Sequence, residues 1–177
     1  MKMAEQMLFA LLRASLHNRQ IETSYFKGVS DKDWEQCFRL AKSQGVMALA
    51  WDGILKLPSA LQPPLELKLQ WGIKVEAQEK KYQRYCHTIH ELTSFYQKHQ
   101  IASLQLKGVG LSTLYPIPSH REGGDIDIYT YSAEPSRMSD KEANRLADEL
   151  MRIQGVEVNL KSATIIQYTI KGRFMSR

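Results

Sequence analysis

The chain has 177 residues and 43% of them are apolar, so it can bury a core in one large domain or two small ones. Lys and Arg number 24 and Asp and Glu 19, and the resulting charge of +5 suits contact with phosphates without excluding proteins that have no such partner. The spacing of the two cysteines suggests neither a disulfide framework nor a zinc cluster. No apolar run approaches the roughly 18 residues of a membrane span, so we expect a cytoplasmic protein without a membrane partner.

The first half of the chain has helical periodicity. Apolar residues recur at spacings of three and four from Met3 onward, which predicts an amphipathic helix rather than a signal peptide. Ser30, followed by Asp33, is typical of a capping box and predicts a second helix, and a short third helix is expected over 46–55. One long helix is predicted over 65–99. Its first part also alternates as a strand would, but its Leu, Glu, Lys and Gln content favours helix.

The second half of the chain alternates between strand and helix signals. Short apolar segments predict strands over 101–106 and 125–131. A capping box predicts a helix over 139–153. Two further strands are expected over 156–160 and 163–170, joined by a tight connection.

The change in character near residue 100 predicts an α+β fold with two domains. Residues 1–99 are expected to form a helical domain, and residues 100–177 a small mixed sheet with its helices.

Two aspartates, Asp125 and Asp127, stand one residue apart at the start of the second predicted strand. Side chains alternate across a strand, so both carboxylates are expected on one face, with Ile126 and Ile128 on the other, toward a core. Two carboxylates about 6–7 Å apart repel each other unless a cation lies between them. The usual occupant is a divalent metal, and Mg²⁺ held by carboxylates usually also binds substrate phosphates. The spacing predicts a metal site; two solvated loop carboxylates are the alternative.

A Lys-Gly turn precedes this pair. Gly108 and Gly110 allow a tight turn and a close approach of the backbone to a phosphate, Lys107 adds a positive charge, and the N–H groups of a helix beginning there would favour an anion. An ordinary strand-to-helix turn is the alternative. Arg121 could reach a triphosphate, remain solvated in a loop, or pair with Asp125, and its position does not decide between these roles.

The motif LKG, then LYP-x-P, then R-x-x-GDIDI resembles the uncharacterised bacterial nucleotidyltransferase-like proteins of the polymerase-beta superfamily. The resemblance covers residues 104–131 closely. It implies a minimal nucleotidyltransferase fold in which Asp125 and Asp127 hold metal ions. Lys107 and Gly108 then correspond to the glycine turn that holds the nucleotide phosphates.

The resemblance also implies a third metal-binding carboxylate on a later strand. Glu157, within the segment GVEVN, is the acid that fits, although it comes on the first strand after the helix. Members of this group are longer than the present chain, so two alternatives stay open. Either the acid belongs to a C-terminal part that is truncated here, or the fold is inactive.

The activity implied by the resemblance is nucleotidyl transfer from an NTP to an acceptor hydroxyl, with Mg²⁺ or Mn²⁺ and release of pyrophosphate. The acceptor, a small molecule, a protein or RNA, stays undetermined, and the basic residues alone give only weak support for a nucleic-acid partner. The alternative is a catalytically inactive fold that serves as a binding or assembly module.

Two other arrangements are weaker. Cys86, His87, His90 and Glu91 cluster on the long predicted helix, but one helix supplies too few ligands in good geometry for zinc. A hydrolytic site around His120 lacks a nucleophile placed on a strand-to-helix elbow.

Overall fold

The computed structural model describes residues 2–123 and 126–154, and the backbone of 157–159 and 166–169. These residues contain six α-helices, three short 3₁₀-helices and four strands, which confirms the α+β class. In chain order the α-helices and strands are α1 (Met3–Leu16), α2 (Asp31–Ser43), α3 (Met47–Leu55), α4 (Leu65–Lys98), β1 (Ile101–Gln105), α5 (Val109–Ser112), β2 (Ile126–Ser132), α6 (Asp140–Ile153), β3 (Glu157–Asn159) and β4 (Ile166–Thr169).

Long-range contacts divide the chain into two compact units. The first contains Met1–Lys81 and Ser112–Glu122, and the second contains Tyr82–Leu111 and Gly123–Arg177. Helix α4 contributes to both, and the segment after α5 returns to the first unit. Contact density does not by itself define an independently folding domain, so the division at residues 99 and 100 stays a prediction.

The first unit is a helical core in which α1 and α3 touch backbone to backbone. A Cβ atom on Gly53 would lie 2.6 Å from the carbonyl oxygen of Leu11, so only glycine permits this crossing. Trp71 on α4 is fully buried and donates its indole N–H to the carbonyl of Met47 over 2.9 Å. The start of α4, which also alternates as a strand would, is helical as predicted. Ser30 caps α2 through the predicted capping box.

The second unit is a sheet with strand order β1-β2-β4-β3, and every pairing between the described strands is antiparallel. The mixed pairing expected from the sequence is therefore not what these strands form. Strands β2 and β3, joined by α6, do run in the same direction, but β4 lies between them. The core face of β2 carries Ile126 and Ile128, and it packs in one cluster with Ala143, Ala147 and Met151 of α6.

No helix within the described ranges is both long enough and apolar enough to cross a bilayer. Helix α4 has the length, with 34 residues, but charged residues recur along it.

A buried histidine fastens the segment between α5 and β2 to the first unit. His120 is 4% exposed, and its Nδ1 and Nε2 atoms lie 2.8 Å from Asp52 Oδ2 and 2.9 Å from Glu79 Oε1. Only a doubly protonated imidazolium can donate to both carboxylates. Burial is the strongest influence on the pKa of His120 and lowers it, but the hydrogen bonds and charges of the two carboxylates together raise the pKa above 6.5.

The Gly53 crossing predicts that Gly53→Ala lowers the free energy of unfolding by about 1–3 kcal/mol, because the new methyl group would meet the Leu11 backbone, which cannot rotate away. Gly72→Ala is the matched control, since its Cβ would lie 3.5 Å from the Trp51 ring, an ordinary contact. This control should gain up to about 1 kcal/mol of helix propensity. Urea denaturation measures both, and equal stabilities of the two variants would contradict the close crossing.

The His120 cluster predicts a pH-dependent contribution to stability. The folded-state pKa is raised, so the contribution is fully present below pH 6.5, the ordinary value, and is lost as the pH rises through the folded-state pKa. His120→Gln should therefore cost on the order of 1–3 kcal/mol at low pH and less at high pH. Urea denaturation over a pH series tests this, with the exposed His17→Gln as control. A pH-independent difference from wild type would contradict the imidazolium.

Candidate functional site

Asp127 is a buried carboxylate on the second residue of β2. The residue is 5% exposed and lies on the face opposite Ile126 and Ile128, as alternation requires. Its carbonyl oxygen accepts a hydrogen bond of 3.0 Å from the Leu106 amide, which joins the start of β2 to the chain just after β1. Asp125, its predicted partner in metal binding, lies outside the described residues, so the pair stays a prediction.

The structure brings Lys107 to this carboxylate. Lys107 Nζ lies 4.0 Å from Asp127 Oδ2, at the limit of an ion pair, and the lysine side chain is 65% exposed against 7% for the aspartate. An exposed ammonium held this loosely contributes little stability and can turn toward another anion. The buried carboxylate therefore has a cation beside it that solvent and ligands can reach.

The turn between Lys107 and α5 depends on its glycines. Gly108 has a φ of +65°, in the left-handed region, and a Cβ on Gly110 would lie 3.3 Å from the Gln105 carbonyl oxygen. Helix α5 is a single turn from Val109 to Ser112. Its dipole is correspondingly small, so a phosphate here would depend on the turn backbone and Lys107.

Arg121 belongs to the first compact unit, whereas Lys107, Gly108, Gly110 and Asp127 belong to the second. Arg121 Nη1 donates to the Glu122 carbonyl over 3.5 Å. Its expected contact with a triphosphate stays a prediction.

The strand register relates Glu157 to Asp127. Asp127 pairs with Gln167, which pairs with Asn159, and Glu157 is two positions before Asn159 on β3. Paired positions of an antiparallel sheet share a face, and so do alternate positions of one strand, so Glu157 occupies a position on the face of Asp127. Two strand spacings, about 9–10 Å, separate β2 from β3.

Among the side chains that the structure describes, no three Asp, Glu, His or Cys side chains are grouped so that they could hold a metal ion. The same holds for the alternative zinc cluster on α4, where His87 Nε2 lies 3.4 Å from Glu91 Oε1 as an ordinary helical pair. The side chains of Asp125 and Glu157 are not among those described.

Two features of the structure were not predicted from the sequence. The first is the burial of His120 between two carboxylates that are distant in sequence, for which no local pattern exists. The second is a row of aromatic residues beyond Asp127: Tyr129 and Tyr131 stack with ring centroids 6.0 Å apart. The alternation within IDIYTYS carries this signal, since Asp127, Tyr129 and Tyr131 are alternate residues.

The left-handed turn predicts a selective effect of Gly108→Ala on nucleotide binding. The variant should lose about 1–2 kcal/mol of stability, because an alanine is strained at positive φ. Gly28→Ala is the matched control, since Gly28 has a φ of +72° with open space around it. Both variants should melt earlier than wild type, but only Gly108→Ala should lose the stabilisation by NTP and Mg²⁺ in a thermal-shift assay. An equal ligand response of both would contradict a role of the turn in phosphate binding.

No curated protein and no solved structure matches the chain. The model of one protein family, described as uncharacterised nucleotidyltransferase, matches residues 30–161. The match includes α2, α3 and α4 as well as Lys107, Asp127 and Glu157, so it extends well beyond the motifs. The resemblance is confirmed, and the chain belongs to this family of uncharacterised nucleotidyltransferases.

Proposed function

We propose that the chain transfers a nucleoside monophosphate from an NTP to an acceptor hydroxyl and releases pyrophosphate, with Mg²⁺ or Mn²⁺ as cofactor. The observation that carries the proposal is the buried carboxylate of Asp127 with the exposed ammonium of Lys107 beside it at a left-handed glycine turn. Family membership supports nucleotidyl transfer in general. The cofactor, the NTP and the acceptor do not follow from family membership and are part of the proposal.

The donor set fits a hard divalent cation. Asp127 offers carboxylate oxygens, which Mg²⁺ prefers, and its burial makes a neighbouring positive charge favourable. We assign the metal to Asp125 and Asp127, with Glu157 as the third ligand, because its register position is on the same face as Asp127. A bound cation would lower the pKa of the acceptor hydroxyl and neutralise charge on the departing pyrophosphate.

The phosphates of the NTP are assigned to the turn, with Lys107, Gly108 and Gly110 contacting them. Lys107 can exchange its weak pairing with Asp127 for a phosphate oxygen once a metal occupies the carboxylate. In the reaction the acceptor oxygen forms a bond to the α-phosphorus while the bond to the pyrophosphate oxygen breaks. Positioning and neutralisation of charge supply most of the acceleration.

The Asp pair predicts that an Asp125→Asn, Asp127→Asn double variant loses transfer activity by about 10²–10³-fold or more, because the ligands that hold the cation are gone. The fold should survive, since removing two repelling charges does not open a cavity. Each NTP labelled at the α-phosphate is incubated with Mg²⁺ or Mn²⁺ and a cell extract as the source of acceptors, and the incorporated label is measured.

Glu134→Gln is the matched control, because Glu134 lies in the same compact unit and forms an exposed pair with Arg137. It should keep wild-type incorporation. Equal incorporation by the double variant and the wild type would remove the catalytic role of the pair. Absence of incorporation from all NTPs would favour the inactive binding or assembly module.

A further inference from the structure

The sheet face that carries Asp127 continues as a row of two tyrosines. Asp127, Tyr129 and Tyr131 are alternate residues of β2 and share one face, opposite to the face that packs on α6. The rings of Tyr129 and Tyr131 are nearly parallel, with an interplanar angle of 18° and centroids 6.0 Å apart. The two rings therefore lie side by side along the strand in nearly the same orientation.

This row is partly accessible to solvent, with Tyr129 half-buried. Tyr131 is 37% exposed, and Leu104, which pairs with Tyr129 across β1 and β2, is 54% exposed. The residue that pairs with Tyr131 is Ala102, whose side chain is small. The opposite face is different, since Ile128 is 1% exposed.

The register orders the charged and aromatic groups along one line. Lys107 follows β1 at the end that lies beside Asp127, and β1 then runs antiparallel to β2, with Leu104 opposite Tyr129. Along β2 the order is therefore the Lys107 ammonium, the Asp127 carboxylate, the Tyr129 ring and the Tyr131 ring. Tyr131 is four residues after Asp127, about 13 Å along the strand. A cation followed by planar apolar surfaces complements a nucleotide strand, which has anionic phosphates and planar bases.

We propose that Tyr129 and Tyr131 form a stacking platform for the bases of a single nucleic-acid strand, and that the terminal hydroxyl of this strand is the acceptor at Asp127. The base of one incoming NTP would cover one ring, whereas two successive rings suit successive bases of a strand. The net charge of +5 favours the same polyanion. The acceptor role rests on the proposed function, but the binding of the strand does not.

The test is fluorescence anisotropy of the full chain with a labelled RNA of about eight nucleotides at about 50 mM salt, without NTP or metal. Tyr131→Ala should weaken binding about 5- to 100-fold, the range expected for the loss of one stacked base. Tyr131→Leu is the matched control for apolar area and should weaken binding similarly. Tyr131→Phe keeps the ring and should bind as wild type does. Thermal melting verifies that each variant is folded.

A second arm uses an abasic strand of the same length, which should bind wild type more weakly than the RNA binds Tyr131→Leu, because it has no base for either ring. The proposal is overturned if Tyr131→Leu binds the RNA as wild type does, or if the abasic strand binds wild type equally well. It is also overturned if no strand binds while the NTP label is transferred to protein or to small molecules, and the proposed function then stands. Binding of RNA that depends on Tyr131 without any transfer would instead overturn the proposed function and leave the platform.

Discussion

The two faces of strand β2 have opposite chemistry, and the second unit depends on keeping them apart. One face carries Ile126 and Ile128, which are buried in a core with α6. A shift of one residue would bury Asp127 among apolar side chains and expose both isoleucines, so the hydrophobic pattern specifies a single register. Polar contacts reinforce it: Thr130 Oγ1 donates to Asn144 Oδ1 over 2.6 Å, and the Ser132 amide donates to Asp140 Oδ1 over 3.0 Å.

The same register provides the site. Because the isoleucines occupy the core face, Asp127 must lie on the other face, where it meets Lys107 and continues into the tyrosine row. Hydrophobic burial on one side of the strand thus positions a carboxylate and two aromatic rings on the other.

The segment between the Lys-Gly turn and β2 is held by side-chain contacts that do not involve the sheet. His120 is held by Asp52 and Glu79, and the Gln78 side chain donates to the Ser119 carbonyl over 3.2 Å. All of these residues belong to the first compact unit, although the chain on both sides of the segment belongs to the second. The family model also includes α2, α3 and the whole of α4, so these helices are part of what its members share and are not an unrelated addition.

The local signals of the sequence were reliable where one short-range interaction decides the structure. Both capping boxes, at Ser30 and at Ser139, form as predicted, because each needs only a hydroxyl and a carboxylate three residues apart. The start of α4 was ambiguous, because its alternation suits a strand, and it is helical as predicted. The mixed sheet expected from the sequence differs from the antiparallel pairing of the described strands. The position of β4 between β2 and β3 depends on long-range contacts, which no local pattern encodes.

The sequence by itself determined the α+β class, the family and the face of β2 on which Asp127 lies, because alternation and capping act over a few residues. Only the tertiary structure decided that Lys107 lies beside Asp127 and that His120 lies between two carboxylates. It also decided that the rings of Tyr129 and Tyr131 are nearly parallel and partly exposed. These contacts join residues across the sheet or between helices, or depend on what covers a strand. They follow from packing, which the order of residues along the chain does not specify locally.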